Sequence, residues 1–187
     1  MTELGGGSGD LPLINERIWE RVARDFDEVG PEACMVEIVD ELLAHNPHYL
    51  EMAMRIARDV GEPEHMLPGF AMFYRILWLG ARERGGPLPR ITPETRDAIA
   101  ALAGECGEAQ FVSLASETLL KENPCLLQMA DSFASRHDDY LGIMQGFALL
   151  YKGLSAQAVI DGLRGAACCK SQRPPRELGS DGSEPKR

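Results

Sequence analysis

The sequence predicts an all-α protein formed by tandem duplication of one four-helix unit of about 77 residues. Two observations carry this prediction: apolar residues recur every three or four positions, and the second half of the chain resembles the first. A third observation agrees with them, because no segment shows strand-like alternation flanked by hairpin turns.

The duplication becomes visible when the sequence is compared with itself at an offset of 77 residues, as from Asn46 to Asn123. Residues 42–57 then align with 119–134 without a gap. Roughly three in ten aligned pairs are identical over the whole unit, against about 6% for random pairs of average composition. The two predicted repeats span residues 9–77 and 86–154.

Helical periodicity divides each repeat into four helices. In the first repeat, Ile14, Ile18 and Val22 mark the apolar face of the first helix, and Gly30-Pro31 separates it from the second. Pro68 predicts a kink or a late start of the fourth helix. The predicted helices lie near 14–29, 31–45, 46–60 and 64–84 in the first repeat, and near 93–105, 108–122, 124–136 and 139–153 in the second.

Two recurring motifs indicate how the helices meet. Asn46-Pro47 and Asn123-Pro124 place a helix-capping side chain directly before a proline, which suits the first helical position. Each motif therefore predicts an immediate transition between two helices. The triplets Gly69-Phe70-Ala71 and Gly146-Phe147-Ala148 combine small residues with an aromatic ring, so another helix is predicted to approach closely there.

The two repeats are predicted to pack as a single compact domain over 10–169, because the linker between them is short and two copies are few for an elongated solenoid. Ser155 predicts the start of a short final helix near 155–167. The Gly-rich residues 1–9 are predicted to be flexible, and 170–187 to be a disordered tail with almost no apolar content.

Composition limits the function classes. The net charge of −10 opposes binding to nucleic acid, and no apolar stretch is long enough to cross a membrane. The first residues do not resemble a secretory signal, and the five cysteines form no CxxC pair. We therefore expect a reduced, cytoplasmic protein.

Histidines and carboxylates form one candidate metal site. Glu41, His45 and His48 lie close in sequence, and Glu62 and His65 have the Glu-x-x-His spacing of di-iron bundles. The Asn46-Pro47 break and the absence of these residues from the second repeat favour ordinary helix-end roles. No metal and no cofactor is therefore predicted.

Other candidate residues lie outside the aligned segments. Cys168 and Cys169 are adjacent and close to cationic side chains, which can make a thiol reactive. Trp78 and Leu79 follow the first repeat directly, and they are candidates for a partner surface or a homodimer contact.

These observations favour a non-enzymatic interaction module that binds another protein, because no phosphate loop, dinucleotide fingerprint or nucleophile elbow is present. The clustered acidic residues of the first half would favour a partner with a basic surface. Two alternatives remain: a helical-bundle metalloprotein or oxidoreductase using His45, His48 or His65, and a carrier of a small apolar ligand.

Overall fold

Helices form nearly all of the chain in its computed structural model, which describes residues 11–61, 63–105 and 107–171. Within these ranges there are eight α-helices and no strand, as the sequence predicts. The helices are α1 (Glu16–Val29), α2 (Pro31–His45), α3 (Pro47–Val60), α4 (Pro63–Glu83), α5 (Pro93–Glu105), α6 (Glu108–Glu122), α7 (Pro124–Ala134) and α8 (Tyr140–Ser171).

Local sequence explains most helix ends. Proline occupies the first turn of α2, α3 and α7, where its missing N–H costs no hydrogen bond. The Thr92 hydroxyl accepts a hydrogen bond from the N–H of Thr95 at 3.3 Å and caps α5. Gly61 ends α3 with a φ of 92°, a left-handed conformation that glycine adopts without steric cost.

α4 begins at Pro63, close to its predicted start, and contains Pro68 in its interior, so the alternative of a late start is wrong. The predicted boundary at Ser155 is also wrong. α8 continues to Ser171, and no separate helix starts at Ser155. The apolar stripe continues across the predicted break through Leu154 and Ala158, which are buried, so packing keeps one helix intact. The predicted flexible residues 1–9 lie outside the described ranges. The disordered tail was predicted to begin at residue 170, but residues 170 and 171 still belong to α8, and 172–187 lie outside the described ranges.

α8 is 32 residues long. Despite this length, neither α8 nor another helix in the described ranges combines the size and apolar character needed to cross a bilayer.

Both halves of the chain share one aromatic core. Phe70 and Phe147, neither of them exposed, meet edge to face with ring centroids 5.0 Å apart. Phe73 and Phe133 also pack on Phe147, with centroids 5.2 and 5.7 Å from it. Since α4 and α8 contribute to the same interior, the helices form a compact domain rather than an elongated solenoid.

Asn46 links the first half to the start of the second. Its side-chain amide donates a hydrogen bond to the carbonyl of Pro89 at 2.9 Å, and its oxygen accepts one from the N–H of Ile91 at 3.1 Å. The residue is 1% exposed. It stands at the first position before α3, but its side chain does not cap that helix. The predicted capping role is therefore wrong, because the side chain bonds to a distant segment instead.

Asn123 makes the corresponding link in the other direction. Its amide donates to the carbonyl of Pro12 at 2.6 Å, and its oxygen accepts from the N–H of Ile14 at 2.8 Å. This side chain also leaves the following helix, α7, without a side-chain cap. Each half of the chain thus holds the segment that precedes the first helix of the other half.

Two glycines allow helices from different halves to touch, as the Gly-Phe-Ala triplets predict. A Cβ atom on Gly146 would lie 2.7 Å from both Ile56 and Phe70, and one on Gly69 would lie 2.5 Å from the Phe133 ring. These separations are shorter than van der Waals contact, so α8 packs on α3 and α4 only because position 146 has no side chain.

Alanine substitutions at two helical glycines are expected to change stability in opposite directions. Gly146→Ala should lower the free energy of unfolding by about 1–3 kcal/mol, because the added methyl overpacks the core. Gly104→Ala should raise it by up to about 1 kcal/mol, because alanine favours the helix and no atom lies within 4 Å of its new Cβ. Urea unfolding followed by circular dichroism measures both. A Gly146→Ala protein as stable as the native chain would contradict the packing described here.

Candidate functional site

A groove of about 600 Å³ lies between α3, α5 and α8. It combines a helix of the first half with two helices of the second, and its volume falls in the range of ligand and peptide sites. The lining residues are Glu51, Met52, Arg55, Ile56, Asp59, Val60, Arg96, Asp97, Ile99, Ala100, Gly104, Asp139, Gly142, Gln145, Gly146 and Leu149.

The direction of the helices follows from two close contacts. The Cβ position of Gly146 lies against Ile56, and that of Gly153 lies 3.3 Å from the methyl of Met52. α3 and α8 are therefore antiparallel along the groove. On α8, Gly142 and Gly146 are one turn apart and both line the groove. Both glycines are buried, and their lack of side chains allows Ile56 and Asp139 to lie close to this part of α8.

Apolar side chains form part of the groove surface. Met52 and Ile99 are buried at 7% exposure, whereas Ile56, Val60 and Leu149 are half-buried. Covering these apolar groups with another molecule would remove them from water, which is favourable. The three half-buried side chains, here called the floor of the groove, can therefore receive apolar side chains.

One end of the groove carries a connected set of charges. Arg96 donates to Glu51 at 2.6 Å and to Asp97 at 2.9 Å. His48 lies 2.9 Å from the same Glu51 carboxylate. Hydrogen bonds from His48 and then from Arg96 lower the pKa of Glu51 below its usual value. Arg96 thus has two carboxylates as partners, which leaves it little free positive charge.

The opposite end carries Asp59 and Asp139. One oxygen of Asp139 accepts a hydrogen bond from the N–H of Gly142 at 3.1 Å, and this bond caps α8. Asp59 lies in the last turn of α3 and has no ion-pair partner in the described part of the chain. Arg55 lies one turn earlier on the same helix.

The side chains that line the groove limit the chemistry that it can support. Its described lining contains carboxylates, guanidinium groups, one amide and aliphatic groups, but no Ser, Cys, His or Tyr. This set can bury apolar groups and form charge-assisted hydrogen bonds, and it offers no nucleophile paired with a base of the kind that acyl transfer uses.

The candidate metal ligands that the structure describes do not form a common site. Glu41 accepts a hydrogen bond from Arg75 at 2.7 Å, and His48 pairs with Glu51. His45 is exposed at the end of α2, His65 is exposed on α4, and Glu62 lies outside the described residues. Across the described residues, no group of three His, Cys, Asp or Glu side chains is arranged to hold a metal ion.

The candidate thiols lie in the final turns of α8, but the side chains of Cys168 and Cys169 are outside the described part of the structure. Their reactivity stays a prediction. Cys34, by contrast, is buried at 4% exposure, and burial raises the pKa of its thiol. A raised pKa disfavours the reactive thiolate.

The candidate partner surface at Trp78 and Leu79 is smaller than the sequence indicates. Leu79 is buried at 4% exposure and points into the core, so it cannot contact a partner. Trp78 is half-buried, and its ring lies under two guanidinium groups: that of Arg75 at 4.8 Å and that of Arg82 at 4.5 Å. These cation–π contacts and the core packing already occupy much of the ring.

The groove residues were not identified by sequence reasoning, which relied on similarity between the halves. The sequence evidence for the groove lies at aligned positions where the two halves have different residues. Gly142 aligns with His65, and Ile56 aligns with Phe133, so the groove has small groups where the other half has rings. Such differences between otherwise similar segments were the available sequence clue.

The fold is therefore that of an all-α protein with eight described helices and a groove between its two halves. In comparisons with known proteins, no family model matches the chain, and no curated protein and no solved structure shows significant similarity to it.

Proposed function

We propose that this protein is a non-enzymatic interaction module that receives a segment of another protein in the groove between α3, α5 and α8. One observation carries the proposal: a groove of about 600 Å³ has a half-buried apolar floor and a charged rim. Protein interfaces share this arrangement, with an apolar centre surrounded by polar groups that exclude water.

The position of the groove supports the same function. Its walls come from helices that are fixed by the shared core, since Gly146 and Ile56 touch where α8 packs along α3. A rigid wall needs little ordering when a partner binds, so less of the interaction energy is lost to conformational entropy. The groove is thus suited to bind a short segment that becomes ordered in it.

Filling the groove is expected to abolish binding of partner segments. Ala100 is exposed and lines the groove, so Ala100→Trp should occupy it without disturbing the core. Peptides selected from a displayed library of random helical sequences on the native protein should bind Ala100→Trp at least about tenfold more weakly, a loss of roughly 1.4 kcal/mol. Fluorescence anisotropy of the labelled peptides measures the difference.

A matched variant controls for the added indole ring. Ala44 is exposed on α2, away from the groove, and Ala44→Trp should leave the affinity of the selected peptides unchanged. Selected peptides that bind the native protein and Ala100→Trp equally well would contradict the proposed function. Circular dichroism of both variants confirms that each remains helical.

The architecture behind this groove is, in our proposal, a tandem duplication of one four-helix unit. Three pairs of equivalent positions support it: Asn46 and Asn123 make the same two bonds, Phe70 and Phe147 contact each other, and Gly69 and Gly146 make equivalent close contacts with Phe133 and Ile56. Each pair is separated by 77 residues along the chain. Residues that contact their own equivalents lie close to a pseudo-twofold axis.

A further inference from the structure

We infer that the segment bound in the groove is a cationic amphipathic helix of another protein, with an apolar stripe on the groove floor and a Lys or Arg beside Asp59. This inference rests on the proposed function and specifies the chemistry of the partner. Three features of the groove lead to it: the shape of its walls, the composition of its floor and the distribution of its charges.

The walls favour a helix over an extended peptide. An extended segment commonly binds by adding a strand to a sheet edge, and the described chain has no strand to offer. A helix instead lies between other helices and inserts its side chains among theirs. Along α3 the groove extends from Glu51 to Val60, a rise of about 14 Å, which corresponds to roughly two and a half turns of a bound helix.

The floor selects the side chains of one face of that helix. Ile56, Val60 and Leu149 are half-buried and aliphatic, and no aromatic side chain is among the residues that line the described groove. Leu, Ile, Val or Met side chains of the partner, spaced three and four residues apart, would cover these groups and remove them from water.

The charges of the groove select a cationic partner. The lining has four carboxylates (Glu51, Asp59, Asp97 and Asp139) and two guanidinium groups. Arg96 is already paired with Glu51 and Asp97. Each end of the groove thus has one carboxylate more than it has guanidinium groups. Only at the opposite end do the carboxylates lack an ion-pair partner within the described residues.

Within that end, Asp59 is the carboxylate that a cation would favour most. Asp139 lies at the amino end of α8, where the helix dipole already stabilises a negative charge. Asp59 lies at the carboxyl end of α3, where the dipole is unfavourable for it. Arg55, one turn away, forms no ion pair with Asp59. A partner Lys or Arg at this point would offset the unfavourable interaction between the Asp59 carboxylate and the dipole of α3.

A pair of synthetic helices tests the inference. Both are 18-residue labelled peptides with the same leucine stripe, and they differ only in carrying Lys or Glu at the polar positions. The 187-residue chain should bind the Lys peptide about tenfold more tightly than the Glu peptide in low salt, measured by fluorescence anisotropy, and the preference should shrink as salt screens the charges. Asp59→Asn should weaken the Lys peptide about threefold, whereas Asp40→Asn should leave it unchanged, because Asp40 is exposed on α2 and lies outside the groove.

The outcomes separate this inference from the proposed function. Equal binding of both peptides, weakened by Ala100→Trp, would overturn the cationic assignment and leave the groove as a protein-binding site. Binding that Ala100→Trp does not weaken, or no binding of either peptide, would overturn both. Native mass spectrometry adds a further arm: a small apolar molecule that co-purifies with the native chain and is lost in Ala100→Trp would assign the groove to such a ligand instead.

Discussion

Replacing Phe147 with alanine is expected to lower the free energy of unfolding by about 3–5 kcal/mol, the cost typical of deleting a fully buried aromatic side chain. Phe147 has no exposed surface and contacts the rings of Phe70, Phe73 and Phe133. The loss of the aromatic contacts adds to the cost of losing buried apolar area. The substitution would also leave a cavity where the two halves meet. Since these rings come from α4, α7 and α8, little collapse can fill it.

Urea unfolding followed by circular dichroism measures this effect, and Phe111→Ala is its control. Phe111 is also buried, at 4% exposure, but it belongs to a small separate cluster with Ala115 and Ala148. We expect its loss to cost about 2 kcal/mol, below the usual range, because few side chains surround the cavity. Equal costs for the two substitutions would show that Phe147 is not central to a shared core.

Replacing Asn123 with alanine is expected to lower the free energy of unfolding by about 2–4 kcal/mol. The substitution removes two hydrogen bonds and leaves the buried N–H of Ile14 and the carbonyl of Pro12 without partners. An unsatisfied buried group costs about 1–3 kcal/mol, more than the bond itself contributes. Asn46→Ala should have a similar cost, because Asn46 makes the same two bonds with Pro89 and Ile91.

Thermal unfolding of both variants, compared with Asn15→Ala, tests this expectation. Asn15 is exposed and caps α1 through one bond, in which its oxygen accepts from the N–H of Ile18 at 3.1 Å, so its loss should cost about 1 kcal/mol. Amide hydrogen exchange should also show faster exchange at Ile14 in Asn123→Ala and at Ile91 in Asn46→Ala. Markedly unequal costs for Asn46 and Asn123 would argue against the proposed duplication.

Local features of the fold were predictable from the sequence. The predicted bounds of α5 and α6, 93–105 and 108–122, agree with the structure, because a capping threonine, prolines and apolar spacing act over a few residues. The single long α8 was not predicted. Gly153 and Ser155 resemble a local break, but tertiary packing of Leu154 and Ala158 outweighs their weak helix preference.

The roles of polar side chains were harder to predict. Asn before Pro is a common capping pattern, yet Asn46 and Asn123 bond to segments more than forty residues away. Only the packed arrangement reveals which backbone groups lie within their reach. Helical periodicity in the sequence could not predict the groove either, because the groove depends on where α3, α5 and α8 meet. Its residues appear ordinary along each separate helix.

The crossed attachment of the two halves has a consequence for how the molecule unfolds. Asn46 holds the backbone that leads into α5, and Asn123 holds the backbone that leads into α1. Opening of either half would release the anchor of the other, so neither can serve as an independent folding unit. The chain should consequently lose its structure in one cooperative step, as a small single domain does, although it consists of two similar segments.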